Sequence, residues 1–290
     1  MGGMGGSPYA DLTRPPLRSA DLRRALVTGD LWTDLQVVAE TGSTNADLAA
    51  RARAGAGEGL VLVAEWQTSG RGRLDRHWEA PPQSSIMVSV LLRPPVPPAR
   101  LGWLPMLAGV AVVESIGRLA VVDARLKWPN DLLVRPAVGE GGYGKCAGVL
   151  AEAVGDAVVV GIGLNVSQRA DEVPPPVGPA FPATSLALSG AACVDRDPLL
   201  RAMLRALAEW YARWREVEGD PGSSGLRAAY REHCLTLGTE VRVTLPGGEV
   251  VTGVASDVDL DGRLVVVSPA GVRPLAAGDV EHVRPYVDLG

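Results

Sequence analysis

Cysteine and histidine are both scarce in this chain of 290 residues. The three cysteines, Cys146, Cys193 and Cys234, are odd in number and widely spaced, which excludes a disulfide framework and fits a reducing compartment. The three histidines are equally dispersed, so no His/Cys spacing indicates a zinc site. A net charge of −5 also lacks the basic surplus that is normal in a general nucleic-acid binder.

Long hydrophobic runs and a secretion signal are missing as well. The longest apolar run, Leu101–Val113, ends at Glu114 and is shorter than the roughly 20 residues of a membrane-spanning helix. The Gly-rich start, Met1–Ala10, has neither the basic beginning nor the apolar core of a signal peptide. We therefore expect a cytoplasmic protein that contacts neither membrane nor nucleic acid.

Lysine is the scarce residue that carries the most information. Lys127 and Lys145 are the two lysines among 28 basic residues, and the others are all arginine. Lysine is a compact point charge on a slim stem, whereas arginine is a broad planar donor, so the two are not interchangeable at a tight site. The count alone leaves chance survival as an equal alternative, and the surrounding residues must decide.

Hydrophobic spacing predicts an α+β domain followed by a small all-β domain. Helices are predicted over 17–31, 46–54, 100–120, 197–218 and 223–234, and strands over 35–39, 60–66, 86–92, 124–127, 131–134, 145–154 and 157–164. After residue 237, short β-branched runs at 239–244, 249–257, 263–268 and 272–275 alternate with turns and predict a β-barrel of SH3-like size. We expect a flexible segment with a short helix over 1–30, a catalytic domain over 31–236 and a C-terminal domain over 237–290.

The segment 168–183 is rich in proline and has no apolar period. It is too long for a simple connection, and loops of this length are usually functional or mobile.

Two polar motifs precede the long apolar helix. Ser43-Thr44-Asn45 is a good helix cap, and three small polar side chains in succession also match the donors and acceptors of a buried urea-like or amide-like ligand. Gln67 introduces Gly70-Arg71-Gly72-Arg73, which Arg76 and Trp78 follow. Its glycines allow close backbone approach to an anion, and its arginines make forked contacts with phosphate or carboxylate. A solvated basic loop is the alternative.

Two further motifs follow that helix. In Lys127-Trp128-Pro129-Asn130-Asp131, a cation, an amide and a carboxylate suit a nucleotide phosphate and its Mg²⁺, although a plain Asx turn has the same sequence. Gly139–Cys146 resembles a P-loop except at Cys146, where a P-loop has Ser or Thr. Alternation after Cys146 predicts a strand instead of the helix that a P-loop requires, so we reject a P-loop. Gly161-Ile162-Gly163 likewise lacks the strand–turn–helix setting of a dinucleotide site.

Taken together, these motifs resemble those of the biotin–protein ligase family. They occur in the family's order, with Gly144-Lys145 running into Ala147–Leu150, then Gly161–Val166 and the small β-domain, so that the resemblance covers about residues 35–290. It implies a mixed sheet flanked by helices, of the class II synthetase-like kind, with an SH3-like C-terminal β-barrel. It also implies an enzyme that joins biotin to ATP, giving biotinyl-5′-AMP and pyrophosphate. The biotinyl group then passes to a lysine of a biotin carboxyl carrier protein or domain of acyl-CoA carboxylases.

The resemblance also assigns residues to the substrates. Biotin is expected to contact Ser43, Thr44, Asn45, Gln67, Gly70, Arg71, Gly72, Arg73, Lys145 and Gly148. ATP is expected to contact Arg73, Arg76, Trp78, Lys127, Asn130 and Asn165. Lys145, Arg71 and Asp131 are the expected catalytic residues, and Asp131 is also the expected ligand of Mg²⁺ and a hypothetical base.

The remaining expectations concern partners and alternatives. About 30 residues precede the catalytic pattern, too few for the helix-turn-helix domain of repressor-type family members, so we expect no DNA binding. We further expect a monomer or weak homodimer, although the sequence does not fix the oligomeric state. Cys146 is expected to pack, not to act as a nucleophile. A lipoate–protein ligase or octanoyltransferase shares the architecture and is the alternative enzyme. A binder without enzymatic activity, with the β-domain as an adapter, is the alternative of another class.

Overall fold

A seven-stranded mixed sheet forms the centre of the protein in this computed structural model, which describes residues 11–73, 76–135, 142–175 and 180–283. The strands are β1 (Asp34–Val38), β2 (Leu60–Ala64), β3 (Ser85–Leu92), β4 (Asp123–Lys127), β5 (Asp131–Arg135), β6 (Gly144–Val154) and β7 (Ala157–Asn165). Their order is β1-β2-β3-β7-β6-β5-β4. β1 and β2 are parallel and every other neighbouring pair is antiparallel. The mixed sheet expected from the sequence is confirmed.

Helices cover both faces of this sheet, but unequally. They are α1 (Ser19–Leu26), α2 (Thr44–Arg53), α3 (Leu104–Leu119), α4 (Arg196–Glu216) and α5 (Leu226–His233). α3 packs between the sheet and α4, in the larger hydrophobic core. α2 lies on the opposite face, where Leu48 packs with Leu62, Leu91 and Val159 in a second, smaller core. Because α2 is short, much of this second face stays open for a site.

Three predicted helices have different bounds in the structure. The helix predicted over 17–31 ends at Leu26, and the chain then turns through Gly29, whose φ of +98° favours glycine. The helix predicted over 100–120 begins as a 3₁₀ helix, Pro98–Trp103, before α3. The helix predicted over 223–234 begins only at Leu226, after Gly225 with a φ of +77°. Tight turns at glycine, which hydrophobic spacing does not register, account for the first and third differences.

The continuous helical segment Pro98–Leu119 is longer than the apolar run read from the sequence. At 22 residues, it is the one helix within the described ranges that is long and apolar enough to cross a membrane by length and composition. Two thirds (67%) of its most apolar window is buried inside the protein, which is the setting of a core helix.

The C-terminal region forms a second sheet of five antiparallel strands. They are β8 (Glu240–Thr244), β9 (Val250–Val258), β10 (Leu264–Ser268), β11 (Gly271–Leu275) and β12 (Asp279–His282), in the order β11-β10-β9-β8-β12. The first four were predicted within one residue. β12 was missed because its four residues include two acids and a histidine. Among the described residues β11 and β12 do not pair, so closure into a barrel stays a prediction.

Two indole groups attach this second sheet to the first domain. Trp103 Nε1 donates to the carbonyl of Leu260 at 3.0 Å, and Trp128 Nε1 donates to the carbonyl of Gly262 at 3.1 Å. Both tryptophan side chains are almost fully buried. The turn between β9 and β10 is therefore held in place by Trp103, from the 3₁₀ helix before α3, and by Trp128, from the β4–β5 turn.

A buried ion pair lies just beyond the C-terminal end of β2 in the central sheet. Arg196, the first residue of α4, lies 2.6 Å from Glu65, and both side chains are 5% exposed. Arg196 also donates to the carbonyl of Pro15 at 2.7 Å, and Glu65 accepts the N–H of Leu17 at 2.6 Å. This pair therefore joins the N-terminal segment, the end of β2 and α4.

Replacing Arg196 by Met removes one partner of this pair and leaves Glu65 charged and desolvated. We expect the free energy of unfolding, measured by urea denaturation, to fall by about 3–5 kcal/mol, because an unpaired buried charge is strongly destabilising. The control is Arg201→Met, which removes a partly exposed i,i+4 partner of Asp197 and is expected to cost at most about 0.5 kcal/mol. Equal losses in the two variants would contradict the assignment.

Candidate active site

The cavity that the sequence motifs line, termed the main cavity although two more open clefts are larger, has a volume of about 240 Å³. It lies on the open part of the sheet face that carries α2. Its floor comes from alternate residues of β3 and β7, including Met87, Ser89, Gly161 and Gly163, which share this face because side chains alternate along a strand. Its walls come from the start of α2, the Gly-Arg loop (67–78), the β4–β5 turn and β12 of the second sheet.

A β-bulge turns Lys145 into the main cavity. Leu132 pairs with Ala147 and Leu133 pairs with Lys145, so Cys146 is an extra residue in β6. Strict alternation from Gly148 would place Lys145 on the opposite face, and the bulge reverses this. The ammonium group lies 3.8 Å from the position that a Cβ on Gly148 would occupy, so the two residues share the cavity side.

The extra residue, Cys146, points into the core. Its side chain is fully buried, and its Sγ donates to the carbonyl of Asn165 at 3.3 Å. Burial raises the pKa of the Cys146 thiol far above its ordinary value, so the thiolate that a nucleophile needs does not form. The packing role expected for Cys146 is what the geometry supports.

Positive charge dominates the polar lining of the main cavity. The cationic residues are Arg71, Arg73, Arg76, Lys127 and Lys145, and the carboxylates are Glu79, Asp131 and Asp279. Lys145 Nζ lies 2.7 Å from Asp131 Oδ1. Burial lowers the pKa of Lys127 and of Arg73, while the nearby carboxylates of Asp131 and Asp279 oppose this shift. Partly desolvated cations of this kind attract a multiply charged anion strongly.

Neutral hydrogen-bonding groups line another part of the cavity, around the start of α2. Ser43 caps the helix, with its Oγ accepting from the N–H of Ala46. Gln67 Oε1 accepts from both the N–H and the hydroxyl of Thr44, at 2.7 and 2.9 Å. Ser89, on the cavity floor, bonds to the hydroxyl of Thr44 and donates to the amide oxygen of Asn45. The predicted cap at Ser43 is confirmed, and the two residues after it, Thr44 and Asn45, form a network that reaches the sheet.

Asn45 is more deeply placed than the sequence indicated. Its side-chain amide donates to Glu152 at 2.6 Å and to the carbonyl of Leu150 at 3.3 Å, and the residue is 5% exposed. A Cβ on Gly161 would come within 2.2 Å of the Asn45 amide oxygen. Asn45 thus borders the cavity, but its polar atoms are already used to hold α2 on β3 and β6.

The Gly-Arg loop folds back on itself over this floor. Gly70 accepts from the N–H of Trp78 at 2.9 Å, and Gly72 donates to the carbonyl of Arg76 at 2.7 Å. The indole of Trp78 lies directly on β7, because a Cβ on Gly163 would come within 2.6 Å of it. The indole N–H is buried without a hydrogen-bond partner in the part of the chain that the structure describes. It is therefore a donor that a bound molecule can use.

Two arginines of the Gly-Arg loop, Arg71 and Arg73, contact different elements of the first domain. Arg73 donates to the amide oxygen of Asn130 at 3.3 Å, and Asn130 in turn donates to the carbonyl of Val149 at 3.0 Å. Arg71 lies 3.6 Å from Glu152. The loop is thereby aligned over β5 and β6, next to Lys145 and Asp131.

The proline-rich segment 168–183 borders the site at both of its described ends, while 176–179 lie outside the described residues. Arg14, 5% exposed, donates to Glu172 and to the carbonyl of Ser167. At the other end, Lys145 donates its backbone N–H to the carbonyl of Pro182 at 2.7 Å, and Thr184 donates back to Lys145 at 2.9 Å. This segment is therefore anchored to the strand that carries the key lysine.

Profile comparison places two regions of the chain in families of known proteins. The Biotin/lipoate A/B protein ligase family matches residues 38–167, and the Biotin protein ligase C terminal domain matches residues 236–283. The biotin–[acetyl-CoA-carboxylase] ligase of Mycobacterium tuberculosis is 44% identical over 280 residues, which are 94% of this chain and 98% of that relative. This chain belongs to the biotin protein ligase family.

Other relatives agree with this membership. The bifunctional ligase/repressor BirA of Bacillus spizizenii is 30% identical over 273 residues, covering 91% of this chain and 79% of that protein. The structure of the biotin protein ligase from Aquifex aeolicus in complex with biotin and ATP has a TM-score of 0.70 and 28% identity. It covers 87% of this chain and 100% of that one. The fold of this chain is thus the fold of a biotin protein ligase.

The sequence motifs of this biotin protein ligase converge on the main cavity with one exception. Gly70 does not line it, since its Cα lies against the carbonyl of Trp78, where a Cβ would come within 2.3 Å. Asn165 lines the cavity, but its amide donates to the carbonyl of Thr184 and accepts from Gln168. The other expected residues line it: Ser43, Thr44, Asn45, Gln67, Arg71, Gly72, Arg73, Arg76, Trp78, Lys127, Asn130, Asp131, Lys145 and Gly148.

Sequence reasoning missed four polar residues of the cavity, namely His77, Glu79, Ser89 and Asp279. Ser89 carried a usable signal, because it is a lone hydroxyl in the apolar run Ile86–Leu92 and is fully buried. Asp279 carried none, because β12 itself was not predicted. No group of three or more His, Cys, Asp or Glu residues within the described ranges could hold a metal ion alone. A Mg²⁺ that arrives on nucleotide phosphates needs only one or two protein carboxylates, which Asp131 fits.

Replacing Gly161 by Ala tests the packing beneath the neutral part of the cavity. The new Cβ would meet the Asn45 amide oxygen, so Asn45 must move and its hydrogen bonds to Ser89 and Glu152 are lost. We expect a loss of about 2 kcal/mol in the free energy of unfolding, measured by urea denaturation. The control is Gly117→Ala in α3, where a Cβ meets nothing within 4 Å and a stabilisation of roughly 0.5–1 kcal/mol is expected. A stable Gly161→Ala protein with unchanged unfolding would rule out the contact.

Proposed function

We propose that this biotin protein ligase activates biotin with ATP, forming biotinyl-5′-AMP and pyrophosphate, and transfers the biotinyl group to one lysine of a biotin carboxyl carrier protein. The observation that carries the proposal is the bulge that brings the Lys145 ammonium into a cavity with four more cations. The motif order, the fold and the 44% identity to a biotin–[acetyl-CoA-carboxylase] ligase support it.

The two kinds of lining match the two substrates. The ureido ring of biotin needs neutral donors and acceptors, which Ser43, Thr44 and Gln67 provide around the start of α2. The biotin carboxylate and the triphosphate are anionic and suit the cationic part, with Lys127, Arg73 and Arg76. A desolvated polar ligand must find matched partners, so this division orients biotin with its carboxylate toward Lys145.

In the first step, an oxygen of the biotin carboxylate attacks the α-phosphorus of ATP, and the bond to the pyrophosphate oxygen breaks. Two anions must approach each other, so their repulsion is the main barrier that the protein must lower. The Lys145 ammonium, oriented by Asp131 at 2.7 Å, supplies a point charge between them. The arginines of the Gly-Arg loop hold the phosphates, and positioning accounts for much of the rest.

In the second step, the amine of the carrier lysine attacks the carbonyl of the mixed anhydride and AMP leaves. The attacking amine must lose a proton, and Asp131 is the carboxylate nearest to Lys145 in the cavity. We assign Asp131 as the group that orients or accepts this proton. The Gly-Arg loop and the proline-rich segment shield the anhydride from water.

Mg²⁺ would enter with ATP and lessen the charge of its phosphates. Asp131 is the protein carboxylate proposed to face it. The carrier is proposed to belong to an acyl-CoA carboxylase, and the free thiols of Cys146, Cys193 and Cys234 fit a cytoplasmic site of reaction.

Replacing Lys145 by Ala is expected to lower biotin-dependent exchange of labelled pyrophosphate into ATP by roughly 10²–10³-fold, because the charge between the reacting anions is lost. Lys145→Arg is expected to restore little activity, since the broader guanidinium is aimed differently. The matched control is Arg135→Ala, which removes an exposed cation from the far end of β5. Exchange that proceeds without biotin, or with lipoate in its place, would refute the proposed function.

Replacing Asp131 by Asn separates the two steps. Asn retains an acceptor for Lys145 but cannot take a proton, so transfer to the carrier should fall by roughly 100-fold while pyrophosphate exchange falls far less. Single-turnover transfer from preformed biotinyl-5′-AMP measures the second step alone. Unchanged transfer would remove Asp131 from the proton path.

A further inference from the structure

The second sheet contributes one charged side chain to the main cavity. Asp279, the first residue of β12, lines it together with Gly278 and Val280. Its carboxylate forms an ion pair with the guanidinium of Arg76, which the Gly-Arg loop presents from the first domain. Arg76 is one of the cations assigned above to the nucleotide phosphates.

The influence of Asp279 extends beyond Arg76. It lines the same cavity as Lys127 and Arg73, and its charge opposes the burial-induced lowering of the pKa of both. Asp131 pairs with Lys145, and Glu152 lies 3.6 Å from Arg71. The phosphate-binding cations are therefore already partly neutralised by carboxylates of the protein itself.

We propose that Asp279 is an internal substitute for nucleotide phosphate, which holds Arg76 until the triphosphate of ATP displaces it. The proposal rests on the proposed function, because it requires that this cationic set binds ATP. A guanidinium makes the same forked contacts with carboxylate and with phosphate, so one group can replace the other. The Arg76 and Asp279 side chains are 57% and 38% exposed, and pairs so open to water are weak enough to be exchanged.

The backbone around Asp279 shows which partner moves. β12 pairs with β8, with Val280 opposite Val243, and a Cβ on Gly278 would come within 2.4 Å of the Val243 side chain. Asp279 is therefore fixed on a packed strand. The backbone of Arg76 is also held, by its N–H to the carbonyl of Arg73 and by its carbonyl from the N–H of Gly72, but its long side chain is 57% exposed. The guanidinium can therefore change partner by side-chain rotation alone.

The consequence is that the ion pair between Asp279 and Arg76 weakens the binding of phosphate groups. ATP and the product pyrophosphate both compete with Asp279 for Arg76, so both bind less tightly than the cations alone would allow. Pyrophosphate release is thereby favoured after the first step.

Replacing Asp279 by Asn tests this directly. Isothermal titration without biotin should show ATP and pyrophosphate binding about 3–5-fold more tightly than to the wild type, as expected for removal of one solvent-screened competing charge. Asp279→Glu keeps the charge and should retain wild-type affinity. The matched control is Asp257→Asn, which breaks another pair between the second sheet and the first domain, with Arg227 and Arg231 of α5, outside the main cavity. Its affinities should equal those of the wild type.

A second comparison assigns the effect to Arg76. In an Arg76→Gln background, the gain from Asp279→Asn should shrink, because the cation that Asp279 occupies is gone. Unchanged or weaker binding of ATP and pyrophosphate by Asp279→Asn would overturn the proposal about Asp279. The proposed function would still stand if the wild-type protein showed biotin-dependent exchange of pyrophosphate. A wild-type protein that binds neither ATP nor pyrophosphate and shows no biotin-dependent exchange would overturn both.

Discussion

Repulsion between two anions is the physical constraint on which this site depends. A carboxylate and a polyphosphate join only if a cation is held between them, and Lys145, which we propose as that cation, is set in place by irregular strand pairing. The bulge at Cys146 is what turns Lys145 toward the floor of the cavity, and the buried thiol fixes the bulge from the core side. Lysine suits this place because its slim stem can lie along the strand, whereas the other cations, on loops and turns, are mostly arginine.

The same site draws on both sheets of the molecule. The floor and the key lysine belong to the central sheet, the neutral groups belong to the start of α2, and Asp279 comes from the C-terminal strand β12. Phe181 of the proline-rich segment packs edge-on against His282 of β12, with ring centroids 5.4 Å apart. One short strand thus contacts both the Gly-Arg loop and the proline-rich segment.

Much of this arrangement could be predicted from sequence, because alternation and glycine-marked turns are local properties. The strands of the central sheet, the cap at Ser43 and the convergence of the Lys127–Asp131 and Gly-Arg motifs all follow from such local signals or from the family resemblance. The bulge, and with it the face of the sheet to which the Lys145 side chain points, could not be predicted. It depends on how β6 pairs with β5 and not on the residues of β6 alone. β12 and Asp279 were not predicted for a similar reason. The four mostly polar residues of β12 form a strand only because they pair with the edge of β8.

Trp128 gives the molecule a further property. It stands inside the motif that presents Lys127 and Asp131, yet its indole is 1% exposed and bonded to the carbonyl of Gly262, and its backbone N–H is bonded to Thr236. A protein shortened before the second sheet would therefore expose this ring to water and remove one support of the turn that carries Lys127 and Asp131. The first domain thus depends on the second sheet for the packing of this turn.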